Sequence, residues 1–181
     1  MTTKPPMSAD GFHWHTNPDG TLGGWVSDTA TISSSVYVAP TARVADRAEI
    51  LDNARILDQA QILGSAKIHE YAIVRDEAIV DGKARVFSHG TVAGHSRVYE
   101  DAVVAGHAQV FEHATVCGKA VVTGSSRVHG YTILMGHVLV GGYADISQEA
   151  LISYGSYTPR KRSRLASAAI AEILKIDTLI G

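Results

Sequence analysis

The stretch Arg85-Val86-Phe87-Ser88-His89-Gly90-Thr91-Val92-Ala93-Gly94-His95-Ser96-Arg97-Val98 decides the fold, because it repeats a six-residue pattern. Val86, Val92 and Val98 fall every sixth residue, each preceded by an outward-pointing side chain and followed by a polar or glycine corner. Counting by sixes in both directions, the series runs from Val26, Ile32, Val38 and Val44 to Leu134, Val140, Ile146 and Ile152. All 22 positions are aliphatic, and only Leu134 lacks the β-branch that favours strands. Four residues after the aliphatic stands a small residue, as in the run Ala42, Ala48, Ala54, Ala60, Ala66, Ala72, Ala78 and Ala84, relaxed to valine only at Val36 and Val138. Two residues after it stands Asp46, Asp52, Asp58 or a glycine such as Gly64, Gly82 or Gly94, types that accept a left-handed backbone.

A period of six matches neither an amphipathic helix nor a meander of hairpins. It matches a short strand, a corner and another short strand, with the aliphatic and the small residue facing inward. The expected class is therefore all-β.

The pattern resembles the hexapeptide-repeat superfamily, whose motif is an aliphatic, a few variable residues and a small residue. The Gly23-Gly24-Trp25-Val26 opening looks like that of bacterial and phage-borne members often labelled transferases. The resemblance implies a single-stranded left-handed parallel β-helix, a triangular prism of roughly seven coils about 4.8 Å apart. It divides the chain into an N-terminal arm and cap (1–24), the left-handed β-helix (25–155), and an exit loop with a C-terminal helix (156–181). Trp14, Leu22 and Trp25 are expected to cover the first coil, because an open solenoid end exposes unpaired edges. Tyr154–Pro159 reads as the exit loop. Residues 163–176 carry Leu165, Ala169, Ile170, Ile173 and Leu174 at helical spacing.

Histidines supply the first candidate chemistry. Five of the nine share one place in the hexad, three after the aliphatic: His89, His95, His107, His113 and His137. His89 and His107 differ by one coil of 18 residues, as do His95 and His113, so each pair should stack on one corner. Tyr71 and Tyr143 continue the first line and Tyr131 the second. Acyltransferases of the resembled superfamily use a His as general base in a cleft between trimer subunits, beside coenzyme A. That makes His89, His95, His107 and His113 the catalytic candidates under an acyltransferase reading. Their pockets usually include a loop thrust out between two hexads, and none interrupts this series. Carbonic anhydrases of the same fold hold zinc with three histidines, two of them five residues apart. Here the spacing is six, which sends the rings to different corners, so no metal is expected.

Outward strand positions carry the second signal. Lys67, Arg85, Val103, Val121 and Leu139 fall on one face, an apolar strip suited to contact with another copy. Arg85, Arg97 and Arg127, with His89, His95, His107, His113 and Tyr131, form the expected anion-binding set. Arg160 and Arg162, in the basic run before residue 165, are added as further anion contacts. Cys117 is the single cysteine and gives no intramolecular disulfide.

The formal net charge is −2, which excludes a broadly cationic nucleic-acid binder. No apolar run spans a bilayer, and the opening MTTKPPMSADG lacks a secretory apolar stretch. The expected address is the cytoplasm of a bacterium or of a phage-infected cell. The expected function is a non-catalytic homotrimer binding a small anionic ligand, a nucleotide for instance, in inter-subunit clefts, with no membrane or nucleic-acid polymer as partner. The alternative is a coenzyme-A-dependent acyltransferase, with coenzyme A as its cofactor. A third reading is a structural scaffold or virion component.

Overall fold

The computed structural model describes residues 11–147 and 149–161 and the strand Ser163–Leu165. The chain is a parallel β-solenoid of about seven turns. Most of its strands are only two residues long, an outward residue followed by the inward aliphatic. Each pairs in parallel with the strand one coil away, as Arg85↔Val103 and Val86↔Val104 do. Three columns of strands result. The first carries Arg85-Val86, the second Thr91-Val92 and the third Arg97-Val98. The sheet ladder therefore runs along the stack, and the hexad period places every aliphatic inside.

From Val38 to Ile146 every aliphatic of the series is buried, at 1% exposure or less, and Ile32 at the first coil is partly covered. The small residues interleave with them, because two large side chains cannot share one level of so narrow a core. Ser96, Ser126 and Thr132 occupy inward places with no exposure. Each hydroxyl donates to the carbonyl three residues back, on Ala93, Thr123 and His129, at 2.7 Å. A buried polar atom is tolerated where its bond is closed locally.

The corners explain the aspartates. Asp46, Asp52, Asp58, Asp76, Glu100 and Glu112 all sit at φ between 53° and 61°. Each carboxylate accepts the backbone N–H of the corner one coil further along: Gly64, Glu70, Asp76, Gly94, Gly118 and Gly130, at 2.6 to 3.2 Å. A charged acceptor on an amide outweighs the modest strain of a left-handed non-glycine residue.

The N-terminal end departs from the expectation. β1 (Phe12–Thr16) runs antiparallel to β2 (Leu22–Ser27), with Trp14 opposite Trp25 and the rings 4.3 Å apart. Trp25 precedes inward Val26, so the tryptophan pair lies on the outer side of the third column rather than over the coil end. Leu22 is 42% exposed. Polar side chains close the end of the second column instead. His15 Nε2 lies 2.9 Å from the Val36 carbonyl. Asn17 accepts from the Val38 amide at 2.8 Å and donates to its carbonyl at 3.2 Å, standing in for a missing coil. Asn17 is 3% exposed, so Asn17→Ala strands a buried amide and carbonyl. The expected cost is about 2 kcal/mol. Urea unfolding and hydrogen exchange check it, and unchanged protection at the Val38 amide would refute the cap.

The C-terminal end differs too. The residues read as an exit loop continue a strand, Leu151–Tyr157, alongside Ile133–Val140. The pairing slips by one residue between Leu134 and His137, so Val140 faces Tyr157 and not residue 158. Pairing thus survives where the sequence period ends. Ser163–Leu165, expected to start a helix, is a strand parallel to Ala144–Ile146. A further rung on an open sheet edge satisfies backbone groups that a helix start would leave unpaired there. The remainder of the expected helix lies outside the described residues.

Candidate functional site

The hexad places the histidines where their spacing indicated. At the first corner, between the first and second columns, Tyr71, His89 and His107 stack with centroids 5.2 and 4.7 Å apart. At the second corner, between the second and third columns, His95, His113 and Tyr131 stack at 5.1 and 4.8 Å. The near-parallel rings follow from the coil rise, which spaces equivalent residues at about the strand separation. His95 also meets Glu77 at 3.1 Å. His89, His107 and His113 are exposed and have no carboxylate partner among the described residues. His137 lies within the strand Ile133–Val140, on the third corner.

The arginines are dispersed. Arg85 stands on the first column, Arg127 on the second and Arg97 on the third. A single chain therefore does not bring these three together. Arg160 is exposed beyond Tyr157, and Arg162 lies outside the described residues. Lys67, which heads the strip on the first column, pairs with Glu49 at 2.6 Å.

The second column gathers the most chemistry. Its outer side is bordered by both histidine corners and carries a groove of about 340 Å³, lined in part by Arg75, Thr91, Gln109, Phe111 and Arg127. Thr91 and Gln109 are adjacent rungs of the column. The Arg127 guanidinium lies 5.0 Å from the centroid of Phe111, and its buried Nε has no hydrogen-bond partner. Arg127 forms no ion pair among the described residues, although Asp145 is its register neighbour. Asp145 is engaged by His129 instead, with Nε2 at 2.8 Å and both side chains mostly buried. The His129 ring stacks on Phe111, with centroids 4.6 Å apart. His129 Nδ1 points to Glu112 at 3.7 Å.

His129 was not among the sequence candidates. It occupies the place directly after an aliphatic, outside the corner shared by the other histidines. Its partner Asp145 is 16 residues away, a diagonal that counting by eighteens does not reach.

No family model, curated protein or solved structure matches this chain. The side chains themselves therefore carry the functional argument.

A second groove, about 450 Å³, lies on the third column beside Ile79, Asp81, Arg97, Tyr99, Thr115 and Ile133. The Tyr99 hydroxyl is held above its ordinary pKa, first by its hydrogen bond with Cys117 and then by burial. Cys117 is a free, buried thiol. Among the described residues no three His, Cys, Asp or Glu side chains converge as a metal site. No described helix is long and apolar enough to cross a membrane.

Proposed function

We propose that the protein is a non-catalytic homotrimer of left-handed, triangular β-helices that binds a small anionic, ring-bearing molecule at its subunit seams, a nucleotide being the apt class. The observation that carries this reading is Arg127. Among the described residues its charge has no carboxylate partner and its buried Nε has no acceptor, and the guanidinium lies over Phe111 beside the 340 Å³ groove. A guanidinium so placed offers a fork to phosphate or carboxylate oxygens. Phe111, in contact with both Arg127 and His129, gives that fork a flat apolar surface to lie against. The strip of half-buried Val121 and exposed Leu139 on the first column supplies the apolar surface for the neighbouring copy.

Two features weigh against catalysis at this groove. Both nitrogens of His129 face carboxylates, so neither is directed at an acceptor hydroxyl or amine. The solenoid turns also run without an extruded loop from Thr31 to Val128. The acyltransferase reading keeps one supporting observation, the exposed and carboxylate-free His113 at the second corner.

Native mass spectrometry of protein purified gently from cells, followed by analysis of what denaturation releases, tests the proposal. The expected result is a trimer carrying a discrete anion, with affinity falling about a hundredfold in Arg127→Ala, a loss of two charge-assisted hydrogen bonds. A bare trimer that saturates with acetyl-coenzyme A would replace this reading by acyl transfer. A monomer, or Arg127→Ala binding as tightly as the parent, would overturn it.

A further inference from the structure

On the second column Arg127 and Asp145 are register neighbours, one rung apart, and yet they do not pair. Glu49 and Lys67 stand in the same relation on the first column, and there the charges meet at 2.6 Å. A one-rung step of about 4.8 Å thus lets an acid and a cation on neighbouring strands close an ion pair. What differs on the second column is a third group. His129 Nε2 lies 2.8 Å from Asp145 Oδ1, and the two side chains are only 14% and 13% exposed. The Asp145 carboxylate is drawn along the diagonal to His129, while the Arg127 guanidinium lies over Phe111.

The buried Arg127 Nε has no hydrogen-bond partner among the described residues. A buried donor left unmet costs about 1–3 kcal/mol, and an acid one rung away is the nearest group that could meet it. That acid is held off by a ring which is itself fixed. The His129 ring stacks on Phe111 with an interplanar angle of 6°, and its Nδ1 faces Glu112 at 3.7 Å. The two acids that line the groove are engaged as well. Glu112 accepts from the Gly130 amide at 2.9 Å. Asp76 accepts from the Gly94 amide at 2.8 Å and pairs with Arg75 at 3.3 Å. Each carboxylate around Arg127 thus has another partner.

We infer that His129 is a positioning residue: by holding Asp145, it keeps Arg127 as a free cation for an incoming anion. The anion in this statement rests on the reading of the Arg127 groove given above; the arrangement of the three side chains does not. His129 acts through Asp145 and has no need to touch the ligand. Without the imidazole, Asp145 turns to Arg127 as Glu49 meets Lys67. It then occupies the fork that would take phosphate or carboxylate oxygens.

Arg164 follows Asp145 on the next rung, so every test protein carries Arg164→Gln, which leaves Arg127 as the cation in register with Asp145. The ligand-free arm is a crystal structure of His129→Phe, a change that keeps a flat ring on Phe111 without its nitrogens. Arg127 and Asp145 are expected within ion-pair distance, about 4 Å, in this variant and apart in the reference protein. The binding arm is calorimetric titration with AMP. His129→Phe is expected to bind about tenfold more weakly than the reference. Adding Asp145→Asn is expected to restore the affinity, because an amide cannot neutralise the guanidinium. His129→Gln, whose amide can still donate to Asp145, should stay within about threefold of the reference. Circular dichroism and melting temperature check folding, and His129→Leu takes the place of a phenylalanine variant that does not fold. Unpaired Arg127 and Asp145 in the variant structure, undiminished AMP binding, or no rescue by Asp145→Asn would overturn the inference. If the reference binds no AMP while the ion pair forms on loss of His129, the nucleotide reading fails and the positioning role stands.

Discussion

Val92→Asp is expected to leave no folded solenoid. Val92 has no exposure and sits in the middle of the second column, between Val74 and Val110. Removing its side chain from the core forfeits about 2 kcal/mol. Placing an unpaired carboxylate there costs several kcal/mol more, whether it remains ionised or takes a proton. Together these approach the whole stability of an ordinary domain, about 5–15 kcal/mol. A solenoid has little room to absorb the change, because each coil touches only the coil on either side. Splitting the stack at Val92 leaves two short pieces with new open ends. Ala114→Ser is the matching control. Ser96, Ser126 and Thr132 show that a hydroxyl at an inward small-residue place returns to the carbonyl three residues back. That variant should stay within about 0.5 kcal/mol of the parent. Urea unfolding followed by circular dichroism reads both. A cooperative transition for Val92→Asp near the parent midpoint would mean that the core is not continuous.

Gly24→Ala is the second change with a large expected effect, and its damage is local. A Cβ at Gly24 would lie 2.1 Å from the Ala42 carbonyl oxygen and 2.6 Å from that of Ala39. Both are backbone atoms of the first coil, so no side chain can turn aside. β2 must move off its neighbour, and β1 goes with it through the Trp14–Trp25 pairing. The expected loss is about 3 kcal/mol, concentrated at the N-terminal end. Hydrogen exchange should show lost protection for Val26, Val38 and Val44 with little change beyond the middle coils. Gly20→Ala separates sterics from backbone strain. Gly20 has φ +81° and nothing within 4 Å of its added Cβ, so only the left-handed penalty of about 1 kcal/mol applies. If the two variants behave alike, the close approach at Gly24 is not what holds the first coil shut.

Much of this molecule could be read by counting. Strand place, column and register follow from the positions of Val86, Val92 and Val98, because one coil is a fixed translation along the chain. The stacks of His89 on His107 and His95 on His113 follow in the same way. What escaped counting breaks the translation. Asn17 and His15 act from an antiparallel strand that belongs to no hexad. Leu151–Tyr157 continues the sheet after a one-residue slip, so the period ends before the pairing does. His129 and Asp145 meet along a diagonal.

The acidic corners also give the molecule a direction of growth. Each carboxylate reaches toward the coil that the ribosome makes next, never toward the one before. An emerging coil therefore meets acceptors already in place on the preceding one. The contacts it must form lie only one coil back in sequence, which keeps the search short. A chain still being translated can add finished layers in order, presenting at its leading edge charged groups that water solvates well while the next layer arrives.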